Sequence, residues 1–199
     1  MRENVNTIEK EDLFRNLPTY NGKYEITDDL FRILYAKGVR TFWNCFFYEV
    51  SLDSWDLSGI DFSESRFFET NFQNCCFDKA IFRNCTISTY RNNCMSGSSF
   101  READMSGATL ETPLDNVNFS NMSFHGTHFH RGYLRNCELG GADFTAAEFD
   151  GTWIGGCSFS EPVLGLECIS YTAGGATREE VEYMREALFA ELRRGNMAQ

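Results

Sequence analysis

The sequence predicts an all-β solenoid, a chain wound into stacked square coils, followed by a C-terminal α-helix. Three observations predict it. A large apolar residue recurs at every fifth position through the middle of the chain, a small residue stands two places before it, and one stretch near the C-terminus carries helical periodicity. A period of five suits neither a helix at 3.6 nor a lone strand at 2. It suits a chain that turns a corner every five residues, with one large and one small side chain per side pointing inward. Four sides close a coil of about 20 residues, and stacking buries a continuous apolar column that one coil cannot bury alone.

Residues 1–40 show no five-residue pattern and read as an N-terminal cap. "TYNGKYEI" predicts a turn at Asn21–Gly22. "TDDLFRILYAKG" predicts a short helix with Thr27 as N-cap, Leu30, Ile33 and Leu34 on one face, and Gly38 as its stop. Such a segment covers the open edge of the first coil, which would otherwise invite aggregation.

Residues 41–169 form the shaft. From Phe42 the large positions run Phe47, Leu52, Leu57, Phe62, Phe67, Phe72, Phe77, Phe82 and Ile87. A second run reads Met95, Phe100, Met105 and Leu110, and a third reads Phe119, Phe124, Phe129, Leu134, Leu139, Phe144, Phe149, Ile154, Phe159 and Leu164. Of these 24 positions 14 are Phe, in a chain with 19 Phe in all, so the aromatic content is concentrated in the period. The partner positions are small or narrow, as at Cys75, Ala80, Cys85, Ala103, Ala108, Thr127, Cys137, Ala142 and Ala147, with Trp55 and Met122 larger.

The two phase slips mark irregularities. Ile87 and Met95 lie eight positions apart, so "STYRNNC" predicts an outward loop carrying Tyr90 and Arg91; it reads either as a contact or as a tolerated insertion. Leu110 and Phe119 lie nine positions apart, and Leu114 fills an inward place there if the coil has lost one residue. Residues 170–199 contain a loop and "TREEVEYMREALFAELRRG", a helix with a Thr177–Glu180 capping box and Gly195 as its end. Its stripe of Val181, Met184, Leu188 and Leu192 either caps the last coil or forms a homodimer contact.

The shaft's repeats "AIFRN", "ADMSG", "ATLET", "ADFTA" and "AEFDG" resemble the pentapeptide-repeat family, whose pattern is small–Asp/Asn–Leu/Phe–Ser/Thr–Gly, over about residues 40–165. The resemblance implies a right-handed quadrilateral β-helix of about six coils, roughly 29 Å long at 4.8 Å per strand. It also implies a branch of the family that protects bacterial DNA gyrase or topoisomerase IV from quinolones, albicidin or microcin by mimicking DNA, and that dimerises through its C-terminal ends.

Within this frame Cys45, Cys75, Cys85, Cys137 and Cys157 are small apolar fillers, and Cys76 faces outward. The chain has no apolar run of about 20 residues and its N-terminus lacks an apolar leader, so the expected compartment is the cytoplasm, where eight cysteines stay reduced. A non-hydrophobic signal of the kind used for injected effectors is compatible with the same sequence. The cysteine spacings lack a CxxC pair, and no nucleophile elbow, phosphate loop, HExxH or paired-carboxylate motif appears, so neither a catalytic site nor a cofactor is expected. His125, His128 and His130 around Phe129 are expected to face solvent, with no obvious carboxylate to complete a metal shell.

Net charge is −11, and the shaft carries almost all of it, with 17 acidic against 7 basic residues. That balance opposes direct nucleic-acid or membrane binding. Asp56, Asp61, Glu64, Glu69, Asp104, Glu111, Asp143, Glu148 and Asp150 fall at outward positions; all of these but Glu111, together with Tyr90 and Arg91, are the candidate partner contacts. Asp61, Asp104 and Asp143 share one face if the coils keep four sides across both slips. Two readings fit: an acidic rod that imitates DNA for a topoisomerase, or a scaffold kept soluble by its acids, such as an injected effector.

Overall fold

A computed structural model describes residues 14–90, 94–158, 161 and 163–165. The chain winds into a four-sided β-solenoid whose large fifth-position residues point inward from Phe42 through Ile154. The sides are short: β3 (Cys45–Tyr48), β4 (Arg66–Phe68), β5 (Thr86–Ser88), β6 (Thr109–Glu111), β8 (His128–His130) and β10 (Glu148–Asp150) stack in parallel as the first face. On the second face β7 (Pro113–Asp115), β9 (Tyr133–Arg135) and β11 (Trp153–Gly155) stack the same way. The third and fourth faces are held by single bridges, such as Asp56↔Cys76 and Asp61↔Ile81.

The corners explain the period. Away from the two slips, the residue two places after a centre adopts a left-handed backbone, as at Asn44, Gly59, Glu64, Asn74, Asn84, Gly107, Asn136 and Gly141. A turn hydrogen bond then reaches from the next small residue back to the centre, as from Ile60 N to Leu57 O and from Ala80 N to Phe77 O. Positive φ at the third residue of a tight turn favours Gly and Asn, which dominate those positions. Some corners also fix what may follow above them: a Cβ on Gly97 would lie 2.5 Å from Asn74 Oδ1 and one on Gly107 2.5 Å from Asn84 Oδ1.

Inside, the phenylalanines form ladders. Phe47 stacks on Phe67 at 4.6 Å, Phe77 on Phe100 at 4.7 Å, Phe124 on Phe144 at 4.8 Å and Phe129 on Phe149 at 4.6 Å. Adjacent faces meet edge to face, as Phe62 does with Phe67 at 5.2 Å. Offset stacks and T-shaped pairs are the arrangements the ring quadrupole favours.

Both slips resolve within four-sided coils. The first lengthens one corner: Ile87 pairs with Leu110, 23 residues on, and Tyr90 projects with 82% exposure. The second removes one residue, so Leu114 is buried four places after Leu110. One expected centre is displaced. Leu164 is 60% exposed because it faces Asp143 rather than Phe144, an extra residue having entered the last side; Val163 and Gly165 take the inward places.

The N-terminal segment closes the first coil. β1 (Thr19–Tyr20) and β2 (Lys23–Ile26) form a hairpin turning at Asn21–Gly22, both with positive φ, and β2 joins the first face beside β3. Helix α1 (Asp28–Ala36) has Thr27 as N-cap, its side chain accepting from Leu30 N, and Gly38 follows with φ 88°. The helix buries Phe31 and Leu34, while Ile33 is exposed, so the inward stripe differs from the Leu30–Ile33–Leu34 set expected. Phe31 touches Phe42, Phe47, Phe62 and Trp55. Trp55, too large for the tube, fits at its open end beneath the helix. The C-terminal helix expectation, with Val181, Met184, Leu188 and Leu192, and Arg91 in the loop lie outside the described residues.

Candidate partner-binding surface

Every acidic candidate in the described residues sits on the outside, on three faces and two corners rather than one. Asp61, Ile81, Asp104, Ser123 and Asp143 form a continuous row of parallel bridges on the fourth face. The aspartates thus occur on every second coil, roughly 10 Å apart by strand spacing. Asp56 lies on the third face beside Cys76, and Glu148 and Asp150 flank Phe149 on the first. Glu64 and Glu69 stand at corners with φ 59° and 52°.

These aspartates are held in place locally. Asp61 Oδ1 accepts from Ser63 N at 2.9 Å and Ser63 Oγ at 2.6 Å, Asp56 accepts from Ser58 N and Oγ in the same way, and Asp104 accepts from Ser106 N at 2.9 Å. Hydrogen bonds from Ser58 hold the Asp56 carboxyl below its ordinary range, and those from Thr145 do the same for Asp143. Burial pushes Asp104 up, but bonds from Ser106 and Arg83 outweigh it and the net shift is downward. Arg83 pairs with Asp104 at 2.5 Å, and on the second face Arg135 pairs with Asp115 at 2.6 Å. The row is therefore ordered, with Asp104 and Asp143 held toward the charged form, and Arg83 dilutes its charge locally.

The histidines are half-exposed or exposed, and the winding brings them carboxylates that chain order alone conceals. β8 and β10 pair in register, which sets His128 Nδ1 3.1 Å from Glu148 Oε2 and His130 Nδ1 2.7 Å from Asp150 Oδ2. Each is a separate pair; no group of three or more His, Cys, Asp or Glu converges on a metal position among the described residues. Tyr90 is anchored at its root, its N–H donating to Glu69 Oε1 at 3.0 Å.

The cysteines behave as filler. Burial pushes the thiols of Cys45 and Cys85 up to about 12 and those of Cys75 and Cys94 up to about 11. Cys76 is half-buried outside the tube, 3.1 Å from Ser58 Oγ. Cys94 is also buried, next to Thr112 Oγ1, a place the five-residue frame does not assign inward.

One surface escaped the sequence reading. Phe46, Tyr48 and Phe68 occupy outward positions on the first face, and Tyr20 of the hairpin lies over Phe46. With Glu25 and Arg66 they line a cleft of about 330 Å³. The signal was available: the frame that puts Phe47 and Phe67 inside puts their aromatic neighbours outside. A second, polar groove of about 430 Å³ runs along the third face past Ser99, Asn118, Glu138 and Ser158.

Parallel four-sided coils with a phenylalanine column and left-handed corners define the class of molecule: a repeat solenoid that offers flat walls. The chain carries pentapeptide repeats; the family model of that description matches eight copies, at residues 43–84 and 123–160. The unmatched stretch between them contains both slips. No curated protein matches the chain. Among solved structures, the pentapeptide repeat protein Rfr23 from the cyanobacterium Cyanothece 51142 is 14% identical, covering 65% of this chain and 97% of its own, with a TM-score of 0.30. A pentapeptide repeat protein from the Arabidopsis thaliana thylakoid lumen is 25% identical over 64% and 88%, with a TM-score of 0.26. QnrB1, a plasmid-mediated fluoroquinolone resistance protein, is 15% identical over 86% and 95%, with a TM-score of 0.25. At these scores none of the three carries a functional argument. No described helix is long and apolar enough to cross a membrane.

Proposed function

We propose that the protein is a non-enzymatic, cytoplasmic binding rod whose acidic walls present a DNA-like surface to the basic DNA-binding track of DNA gyrase or topoisomerase IV. The observation that carries this reading is the row Asp61–Asp104–Asp143, which stays on one face through both slips. Ionised, locally bonded carboxylates repeated along a narrow column offer a basic saddle a field of the same sign as duplex phosphates. Glu64, Glu69, Asp56, Glu148 and Asp150 extend that field to neighbouring walls, Tyr90 supplies a projecting contact, and Arg91, next in sequence, is assigned to the same contact. Dimerisation through Val181, Met184, Leu188 and Leu192 would double the length of the rod. The test is gyrase supercoiling with and without a quinolone, titrated with the protein and with an Asp104→Asn/Asp143→Asn variant. Dose-dependent rescue or inhibition, weakened in the variant, is expected. No effect at any dose refutes the topoisomerase assignment.

A scaffold function is the second reading, and the exposed aromatic cleft favours it. Tyr20 and Tyr48 are about half exposed in the same cleft, whereas the column buries its fifth-position rings completely or nearly so.

A further inference from the structure

We propose that the aromatic cleft on the first face is a docking site for a proline-rich peptide in the polyproline II conformation, carrying a basic residue at one end. The inference gives the scaffold reading its partner class and stands apart from the acidic row, which lies on another face.

The cleft is built by the winding. β2, β3 and β4 run in parallel register, so Glu25 faces Phe46, Phe46 faces Arg66 and Tyr48 faces Phe68. The inward residues between them, Phe47 and Phe67, are fully buried and lock these strands. The outer rings are arranged as two stacks. Tyr20 covers Phe46 at 4.7 Å and 20°, and Tyr48 lies parallel to Phe68 at 5.8 Å and 5°. Phe46 and Tyr48 lie side by side on the same strand with centroids 6.3 Å apart, so the two stacks join into one aromatic floor of the cleft. Three of the four rings sit on strands of the solenoid, so the cleft is formed before any ligand arrives and little ordering entropy opposes binding.

Its polar equipment selects the occupant. Arg66 offers only donors, and among the described residues no group pairs with its guanidinium. A proline-rich chain has few N–H groups that need partners, leaves its carbonyls free, and lays flat pyrrolidine rings on aromatic faces. Glu25, likewise without an ion pair among the described residues, and Glu49 at the adjoining corner make the other edge acidic. The Tyr48 hydroxyl shows that field: its hydrogen bond to Glu49, and the charges of Glu49 and Glu69, push it above its ordinary range. That edge suits an Arg or Lys of the ligand. A second copy of the chain is the poorer fit, because the shaft bears 17 acidic against 7 basic residues and repels itself.

The test is fluorescence anisotropy of the full chain with a labelled peptide of nine prolines and a terminal arginine, against the same peptide with alanine in place of proline. Saturable binding of the proline peptide is expected, with at least tenfold weakening by Tyr48→Ala and by Arg66→Ala. Glu25→Gln is expected to weaken it about threefold and to flatten its salt dependence. Each change is at the surface, and a thermal melt matching the parent checks the fold. No saturable binding, equal binding of the alanine peptide, or binding unaltered by both Tyr48→Ala and Arg66→Ala overturns the proposal. So does sedimentation showing a dimer that Tyr48→Ala dissolves, since the occupant is then a second copy. None of these results bears on supercoiling, so the two readings fail separately.

Discussion

Replacing Gly132 with alanine tests the packing logic where two general rules oppose each other. Gly132 holds a small inward position, the place filled by Ala80, Ala103, Ala108 and Ala142 on other sides. Its φ is not left-handed, and in such a conformation Gly→Ala ordinarily stabilises a protein by about 0.4–1 kcal/mol through the unfolded chain. Here the coil below is the one that lost a residue. Its backbone is drawn up at Thr112, and a Cβ on Gly132 would lie 2.4 Å from the Thr112 carbonyl oxygen and 3.2 Å from its carbon. The obstacle is main chain, so no rotamer change relieves it, and forced overpacking of this kind costs about 1–3 kcal/mol. The net expectation is a loss of about 1–2 kcal/mol, which for a chain of this size lowers Tm by roughly 2–8 °C. Calorimetry of Gly132→Ala beside Ala142→Gly, at an equivalent position over a regular coil, separates the effects: both should destabilise, the second by the loss of a buried methyl. A Gly132→Ala protein as stable as the parent, or more so, would refute the account of the shortened coil.

The other expectations concern the ladder, the corners, the charges and the thiols. Phe124→Ala removes a fully buried ring stacked at 4.8 Å on Phe144 and should cost about 3–5 kcal/mol in denaturant unfolding. Ala146→Gly, at a corner with φ 58°, should gain about 0.5 kcal/mol, because the strain relieved exceeds the entropy added to the unfolded chain. Asp56, Asp104, Asp115 and Asp143 are all held below their ordinary range in the fold. Their stabilisation is present above the unfolded carboxyl value of about 3.9 and is lost as pH falls through their lower folded values. A melt series from pH 6 to pH 2 should therefore show Tm falling below about pH 4, less steeply in Asp104→Asn/Asp115→Asn. In native protein at pH 8 a thiol reagent should label Cys76 ahead of Cys45, Cys75, Cys85 and Cys94, whose burial keeps them protonated. Labelling mass spectrometry reads the order.

The column was legible because its signal is periodic and local. Each side repeats one inward pair, so Phe62, Phe82 and Phe144 announce their burial from spacing alone, and even Leu114 is placed once a deletion is allowed. What lay beyond reach depends on contacts between coils. His128 and Glu148 are 20 residues apart, and only the winding sets them side by side. The last side fails for a related reason: one added residue inverts which neighbour faces in, and Leu164 and Val163 are equally apolar, so nothing in their chemistry reveals the shift. Helix α1 was misjudged at Ile33 because Phe31 competes for the open end of the tube, and an aromatic ring fills that end against Phe42 and Phe62 better than a branched aliphatic chain does.

The surface follows a different rule. A five-residue frame frees three positions per side, and the fold sets little on them beyond the corner, so what appears there reports on demands other than folding. At the corners Gly and Asn satisfy the backbone, and Glu64, Glu69 and Glu102 stand in left-handed conformations that favour neither charge nor length. A solubility role needs charge somewhere on the wall, not at those strained places. The same reasoning applies with more force to Tyr48 and Phe68, which add apolar surface where the column already has its rings. Glu111, His130 and Asp150 occupy the corresponding outward place on later coils, and the strands are intact there. The architecture therefore does not require the two rings, and binding gives them a physical purpose.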